Sequence, residues 1–195
     1  MAVPALAPPS SYMMQSGTNA LRAEYMKART VYIGLGSNLG DRVIHLREAG
    51  QRLSALVRIE DASQLYVAAP LGYVRDDAFV NAVIRGTTTL KPLELLEMMQ
   101  AIEMAMGRRS GVQFGPRPID LDLLFYESVQ METRKLTVPH PRIAQRAFVL
   151  KPLAEIAPEF MHPVLYYTIS QLLQDAEDVD QVQIYHPDQQ LVRAE

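Results

Sequence analysis

The chain has 195 residues, of which 48% are hydrophobic and 21% charged, and these proportions are typical of one globular domain with its own core. Its formal net charge of −3 is unlike that of most proteins that bind nucleic acids or anionic membranes, and its lack of cysteine excludes disulfides, thiolate catalysis and Cys-ligated zinc. No apolar run approaches the roughly 20 residues that span a bilayer. The charge and the apolar pattern therefore predict neither a nucleic-acid nor a membrane partner, and we expect a cytoplasmic monomer.

Three regions are predicted along the chain. Residues 1–29 are rich in Ala, Pro and Ser and contain one acidic residue, Glu24, and this composition predicts a disordered leader. The segment does not begin with basic residues, so it does not resemble a signal peptide. Apolar residues recur regularly over 30–175, which is the predicted folded domain, and 176–195 is predicted to be a polar C-terminal tail.

Apolar periodicity and turn residues divide the domain into strands and helices. Asp41 is an N-cap candidate for the first helix, Pro92 and Gly107 mark the start and end of the second, and Pro152 is expected to interrupt the third. The predicted elements are, in order, a strand over 31–35, a helix carrying the apolar residues of 43–56, strands over 57–67 and 78–89, a helix over 91–106, a strand over 119–126, and helices over 143–157 and 164–175.

The first six elements have the order β-α-β-β-α-β. This order predicts an α+β protein of the ferredoxin-like class, in which helices cover one face of an antiparallel sheet. The last two helices are then C-terminal additions to that fold.

Asp120 and Asp122 form the strongest local signal for chemistry. Residues two apart on a strand point to the same face, so the two carboxylates aim together with Cα atoms roughly 6–7 Å apart. Such a pair repels itself unless a cation joins it, and two Mg²⁺ ions roughly 3.5–4 Å apart fit it when phosphates complete the coordination. Arg117 lies three residues earlier and can bind a phosphate oxygen. The alternative is a pair of exposed aspartates on an edge strand.

Basic residues concentrate in the second half of the chain, several of them on loops beside this strand. A triphosphate needs such a set, although scattered arginines more often form a solvated face. Thr137 and His140 add a hydroxyl and an imidazole in the same region, and no histidine spacing indicates a metal site. The basic residues concerned are Arg108, Arg109, Arg117, Lys135, Arg142 and Arg146.

A glycine-rich segment supports a different interpretation. Gly34, Gly36 and Gly40 lie between the first strand and the first helix with a spacing that some dinucleotide-binding folds use, and Glu60 could serve as the acid that binds the ribose. This predicts an NADPH-dependent Rossmann reductase, although the second strand is followed by a strand where that fold needs a helix. The third interpretation is a ferredoxin-like RNA-binding module, but the chain is acidic and lacks the aromatic motif of such modules.

Taken together, the motifs resemble those of the 6-hydroxymethyl-7,8-dihydropterin pyrophosphokinase family over about 31–163. Their order and spacing carry the resemblance, because no one motif is decisive. The matching motifs are Gly36-Ser37-Asn38, Leu65-Tyr66, Pro70-Leu71-Gly72, Phe79-Val80-Asn81-Ala82, Ile102-Glu103, Gly107-Arg108, the G-P-R-P-I-D-L-D-L run of 115–123, Leu136-Thr137-Val138-Pro139-His140, Arg146-Ala147-Phe148 and the segment 152–158.

The resemblance implies a ferredoxin-like fold and an enzyme of folate biosynthesis. Such an enzyme transfers pyrophosphate from ATP, its co-substrate, to the reduced hydroxymethylpterin and gives AMP and the pterin diphosphate. On this basis Asp120 and Asp122 hold two Mg²⁺ ions and, with Arg108 and Arg117, form the catalytic set.

The resemblance also implies a binding site for each substrate. The implied ATP-binding residues are Gln100, Glu103, Arg117, Lys135, Thr137, His140 and Arg146. The implied pterin-binding residues are Leu71, Phe79, Asn81, Phe114 and Phe148. Two of these depart from the usual pattern, because Phe79 stands where a Tyr is common and Phe114 where a Trp is common.

Overall fold

The computed structural model describes residues 27–68, 78–108 and 115–185 of the chain. Most of the predicted leader and the end of the predicted tail therefore lie outside the described residues. The strands are β1 (Arg29–Ser37), β2 (Arg58–Ala62), β3 (Tyr66–Ala68), β4 (Val80–Thr88), β5 (Asp120–Tyr126), β6 (Met131–Glu132), β7 (Thr137–Val138) and β8 (Val182–Ile184). The helices are α1 (Arg42–Leu53), α2 (Pro92–Ala105), α3 (Ala147–Ile156) and α4 (Ile169–Gln174), with 3-10 turns at Ile143–Gln145 and Val179–Gln181.

The main sheet has six strands, and every pair within it is antiparallel. Its order is β5-β1-β4-β3-β8, and β2 pairs with the half of β4 that β3 leaves free. Strand β4 lies at the centre of this order and pairs with β1 along the whole length of both strands, from Arg29 opposite Thr88 to Ser37 opposite Val80. The predicted α+β, ferredoxin-like arrangement is confirmed.

Each face of the sheet is covered by its own pair of helices. On the first face, α1 and α2 bury residues such as Leu46 and Met99 against the apolar side chains of β1. On the second face, α3 and α4 pack over a cluster that includes Tyr32 and Phe125, whose rings meet edge to face with centroids 6.0 Å apart. The C-terminal additions therefore turn the second face, which would otherwise be exposed, into a second core.

The predicted strand over 57–67 is in fact two strands, and Ser63 separates them. Its backbone N–H donates to the Val83 carbonyl at 2.9 Å, and its side-chain oxygen accepts from the Val83 N–H at 3.0 Å. A side chain thus replaces a backbone group in the ladder, and β2 and β3 pair with different halves of β4.

The predicted helices near the C-terminus are also revised. The prediction that Pro152 interrupts α3 is wrong, because the helix continues through Pro152, which is buried. The helical region is broken instead at Arg146, which separates the 3-10 turn at Ile143–Gln145 from α3. Helix α4 is shorter than the predicted 164–175, because Thr168 caps it by accepting from the Gln171 N–H at 3.2 Å. Just before this cap, Tyr166 has a positive φ of 59° that no helix could include.

The segment predicted as a polar tail contains a strand. Strand β8 pairs with β3, and its residue Val182 is buried. The ammonium group of Lys151 on α3 donates to the carbonyls of Val179 and Val182, which ties the segment to the second face. The folded structure thus continues to residue 185, beyond the predicted domain boundary at 175.

Gly86 on β4 lies where the backbone of β2 approaches most closely. A Cβ atom at this position would lie 2.5 Å from the Arg58 carbonyl oxygen and 2.6 Å from Cγ1 of Val57. We expect Gly86→Ala to lower the free energy of unfolding by about 2 kcal/mol or more, because the clashing oxygen belongs to a paired strand that cannot yield. Denaturant unfolding of both proteins measures this difference.

Gly34→Ala is the matched control on β1. The nearest atoms to its new Cβ would belong to the Leu124 side chain, at 3.5 Å, which is ordinary van der Waals contact. Its stability should therefore stay within about 0.5 kcal/mol of the unaltered chain. A Gly86→Ala protein as stable as the Gly34→Ala protein would contradict the described approach of β2 to β4.

Candidate active site

The two aspartates of β5 lie in rows of side chains that cross the sheet. Asp120 is opposite Gly36 of β1, which is opposite Asn81 of β4, and Asp122 is likewise opposite Gly34. Residues opposite each other on paired strands share a face, so both carboxylates and the Asn81 amide point to the second face. The glycines between them carry no side chain and leave an open floor.

A cavity of about 350 Å³ stands on this floor. The inner end of the cavity is formed by β1, β4 and β5, and its upper wall by the start of α3. It is large enough for part of a small-molecule substrate. The predicted site residues that line it are Phe79, Asn81, Arg117, Asp120, Asp122, Arg146 and Phe148.

Arginine side chains surround the carboxylates. Nη1 of Arg108 lies 2.9 Å from Oδ1 of Asp120, and Nη2 of Arg117 lies 3.1 Å from Oδ2 of the same residue. Nη1 of Arg146, which comes from just before α3, lies 3.4 Å from Oδ2 of Asp122. Burial and the nearby charge of Asp122 raise the pKa of Asp120, while Arg117 and Arg108 oppose that shift.

Glu103 stands behind this cluster and is only 4% exposed. One of its carboxylate oxygens accepts from the Leu121 N–H at 2.7 Å and also from Arg108. Burial raises the pKa of Glu103, and the hydrogen bond from Leu121 and the charge of Arg108 oppose that shift. In this structure Glu103 therefore holds Arg108 against Asp120 and does not line the cavity.

One wall of the cavity, formed by Phe79, Asn81 and Phe148, is aromatic and amide in character, and we call it the aromatic and amide wall. The Arg117 guanidinium lies 5.3 Å from the ring centroid of Phe79, and that of Arg146 lies 5.6 Å from the ring centroid of Phe148. Asn81 is 7% exposed and donates to the Phe79 carbonyl at 3.3 Å. A Cβ atom on Gly36 would lie 3.0 Å from Oδ1 of Asn81, so glycine lets this wall approach β1 closely.

The connection between β1 and α1 fixes the backbone of Arg117. Oδ1 of Asn38 accepts from the Arg117 N–H at 2.8 Å, and the Asn38 N–H donates to the Arg117 carbonyl at 3.3 Å. No role was predicted for Asn38, although it belongs to the Gly-Ser-Asn motif at the end of β1. The motif was a signal that Asn38 could belong to the site, but its partner could not be predicted because Arg117 lies 79 positions further along the chain.

The remaining predicted ATP residues lie away from the cavity lining. Lys135 is exposed and pairs with Glu97 of α2 at 3.3 Å. Thr137 and His140 line a second depression beside β6 and β7, and burial lowers the pKa of His140, an effect that the charge of Asp122 opposes. Gln100 is exposed on α2. Leu71 and Phe114, predicted to bind the pterin, lie outside the described residues.

The carboxylate pair fits a magnesium ion that arrives with a phosphate ligand. Mg²⁺ takes oxygen ligands and is often held by one or two carboxylates while substrate phosphates and water complete its shell. Over 27–68, 78–108 and 115–185, no three or more His, Cys, Asp and Glu side chains form a group that could hold a metal. Two carboxylates on one face fit a metal whose remaining ligands a phosphate would supply.

Comparison with known families decides the identity of this fold and site. The family described as 7,8-dihydro-6-hydroxymethylpterin-pyrophosphokinase (HPPK) matches residues 32–158, which is most of the chain. The chain belongs to the HPPK family. The aspartate pair, the arginines and the aromatic wall all lie within the matched range, so the cavity is the candidate active site of an HPPK domain.

Individual relatives agree with this assignment. The chain is 39% identical over 135 residues to the 2-amino-4-hydroxy-6-hydroxymethyldihydropteridine pyrophosphokinase of Aquifex aeolicus, a match that covers 69% of this chain and 84% of that protein. It is 46% identical over 127 residues to the Bacillus subtilis protein of the same name, covering 64% of this chain and 76% of the relative.

A solved structure shares the fold. The crystal structure of wild-type Plasmodium falciparum HPPK-DHPS with pteroate aligns with a TM-score of 0.60 at 17% identity, and the alignment covers 76% of this chain and 44% of that one. The two other interpretations find no support: a Rossmann unit needs parallel strands, whereas β1 pairs antiparallel with both of its neighbours, and no relative above is an RNA-binding protein.

The buried position of Glu103 generates a stability prediction. Glu103→Leu is expected to lower the free energy of unfolding by about 2–4 kcal/mol, since it leaves the Leu121 N–H without an acceptor in the core and Arg108 without one of its partners. Glu103→Gln keeps an oxygen that can accept from both donors and should lose about 1 kcal/mol or less. Denaturant unfolding measures both losses.

Glu97→Leu is the matched control on the same helix. Glu97 is exposed, and its pair with Lys135 should contribute less than about 0.5 kcal/mol. Similar losses at positions 97 and 103 would show that the buried hydrogen bonds of Glu103 add nothing to stability.

Proposed function

We propose that this chain transfers the pyrophosphoryl group of ATP to the hydroxymethyl group of 6-hydroxymethyl-7,8-dihydropterin, releasing AMP. The observation that carries the proposal is the pair Asp120 and Asp122 on the floor of a cavity, with arginines beside the carboxylates and an aromatic and amide wall next to them. This arrangement offers a place for a triphosphate beside a place for a flat, hydrogen-bonding ring.

The reaction needs no nucleophilic side chain, because the pterin hydroxyl is itself the nucleophile. Its oxygen forms a bond to the β-phosphorus of ATP and its proton passes to water, while the bond from that phosphorus to the oxygen shared with the α-phosphate breaks and AMP leaves with that oxygen. The chain must therefore position two substrates and neutralise phosphate charge. Arg117 and Arg146 lie at the cavity edge with guanidinium groups that can bind phosphate oxygens.

Asp120 and Asp122 would hold Mg²⁺, which on binding would neutralise charge on the triphosphate. In the described state the two carboxylates are instead balanced by Arg108, Arg117 and Arg146. If the two carboxylates held Mg²⁺, the guanidinium groups of Arg108, Arg117 and Arg146 would be available to bind phosphate oxygens. The same ion pairs thus keep the site intact before the substrate arrives.

The pterin would occupy the side of the cavity formed by β4 and α3. Phe79 and Phe148 supply rings that a pterin can stack against, and the Asn81 amide supplies a donor and an acceptor for its polar edge. By resemblance to the family, Leu71 and Phe114 would complete this pocket. The loss of a hydroxyl at Phe79 and of an indole at position 114 would affect pterin affinity rather than the kind of reaction.

The rest of ATP would extend towards α2 and β7. By family resemblance Gln100, Glu103, Lys135, Thr137 and His140 contribute there, and Thr137 and His140 do line a second depression. His140 lies close enough to Asp122 and Arg146 for their charges to act on its pKa, which connects this depression electrostatically to the aspartates. A cytoplasmic location is proposed on the same family basis.

Product analysis tests the proposal. The chain is mixed with ATP, Mg²⁺ and the reduced hydroxymethylpterin, and nucleotides are separated chromatographically. We expect AMP only when pterin and Mg²⁺ are both present. Asp122→Asn should lower the rate by at least about 100-fold with the melting temperature unchanged, because it removes a charge from the site without changing its size.

Asp61→Asn is the matched control, since Asp61 is an aspartate of β2 that pairs with Arg85 at 3.7 Å and lines no described part of the cavity. It should retain the full rate. Formation of ADP in place of AMP would contradict the proposal, and an Asp122→Asn protein as active as the Asp61→Asn protein would contradict the role of the carboxylate pair.

A further inference from the structure

Arg42 makes a set of contacts that the proposed chemistry does not use. It is the first residue of α1, directly after the N-cap Asp41, whose side chain accepts from the Ile44 N–H. Its Nη1 donates to the Ala78 carbonyl at 2.8 Å, and its Nη2 donates to the Tyr185 hydroxyl at 3.3 Å. Its guanidinium also lies 5.3 Å from the centroid of the Tyr185 ring.

The position of the Ala78 backbone affects the shape of the cavity. It begins the described segment that leads into β4, and both Ala78 and Phe79 line the cavity. The Asn81 amide in turn donates to the carbonyl of Phe79, the residue after Ala78. A hydrogen bond on the Ala78 carbonyl therefore holds the backbone from which the aromatic and amide wall is built. Arg42 itself is not among the residues that line the cavity.

Tyr185 is held in place independently of Arg42. Its backbone N–H donates to the Leu65 carbonyl at 2.7 Å, directly after β8 has paired with β3. Strand β8 is held in turn by Lys151 of α3. The hydroxyl and the ring of Tyr185 therefore both contact the Arg42 guanidinium. These contacts restrict rotation of the guanidinium away from the Ala78 carbonyl.

We propose that Arg42 is a positioning residue for the aromatic and amide wall, where the pterin would bind, and that Tyr185, directly after β8, orients Arg42 for this role. The proposal rests on the proposed function for the identity of the ligand. Arg42 touches no reacting atom, so its effect passes through the Ala78 backbone to Phe79 and Asn81. We expect it to act mainly on one substrate, because Arg117 is also held by Asn38 and Asp120, and Arg146 by Asp122.

Steady-state kinetics separates this role from a general loss of structure. Arg42→Ala should raise the KM for the pterin about tenfold, because a charge-assisted hydrogen bond is lost, while the KM for ATP changes less than about twofold. Tyr185→Phe keeps the ring and removes the hydroxyl, so its pterin KM should rise about threefold. Arg42→Lys keeps the charge but loses the planar fork, and it should fall between the unaltered chain and Arg42→Ala.

Arg52→Ala is the matched control. Arg52 lies in the last turn of the same helix, and among the described residues its charged partner is Glu48, at 2.7 Å, so both KM values should stay unchanged. An unchanged pterin KM in Arg42→Ala would overturn the proposal, and so would equal increases in both KM values. If Arg42→Ala does not fold, Arg42→Lys and Tyr185→Phe carry the test, and the same selective rise in pterin KM is required of them.

Direct binding separates this proposal from the proposed function. If the unaltered chain forms no AMP, calorimetric titration with the reduced hydroxymethylpterin is used instead. Binding that weakens about tenfold in Arg42→Ala and not in Arg52→Ala would then support the positioning role although the reaction had been misassigned. No pterin binding by the unaltered chain would overturn both proposals.

Discussion

A short chain of alternating charges between α2 and β5 is the interaction on which the site depends. It runs from Glu103 through Arg108 to Asp120 and on to Arg117, with Glu103 almost fully buried and also bonded to the backbone of β5. Carboxylates removed from water are costly unless they are paired and hydrogen-bonded. Because each carboxylate in this chain of charges is paired with an arginine, the ion pairs offset the cost of removing it from water. They also hold Asp120 at the edge of the cavity with Arg108 and Arg117 beside it.

The rest of the fold brings the other half of the site to this charge cluster. The ferredoxin-like sheet forms the floor of the cavity, because glycines of β1 lie between the aspartates of β5 and the facing residues of β4, which include Asn81. The C-terminal additions supply Arg146 and Phe148 from above. The first face of the sheet is occupied by α1 and α2, so the second face is where a cavity can form, and the additions that cover that face also build the cavity wall.

The parts that the sequence predicted correctly depend on local pattern. The apolar runs of β1, β4 and β5 and the caps of α1 and α2 are short-range signals, and strand periodicity was enough to place Asp120 and Asp122 on one face. The HPPK family is likewise confirmed. What escaped prediction depends on distant partners: Ser63 divides a strand through Val83, β8 forms in a polar segment because β3 offers an edge, and Asn38 and Arg42 act on residues far along the chain.

We expect Asp120 and Asp122 together to bind a divalent metal only in company with the nucleotide. Electron paramagnetic resonance of Mn²⁺, used in place of Mg²⁺, tests this claim without any turnover. With a non-hydrolysable ATP analogue present, the unaltered chain should lower the free Mn²⁺ signal more than the analogue does alone, and without the analogue it should have little effect. Asp120→Asn and Asp122→Asn should each abolish the additional binding. Additional binding of equal size in the unaltered chain and in both variants would contradict the account.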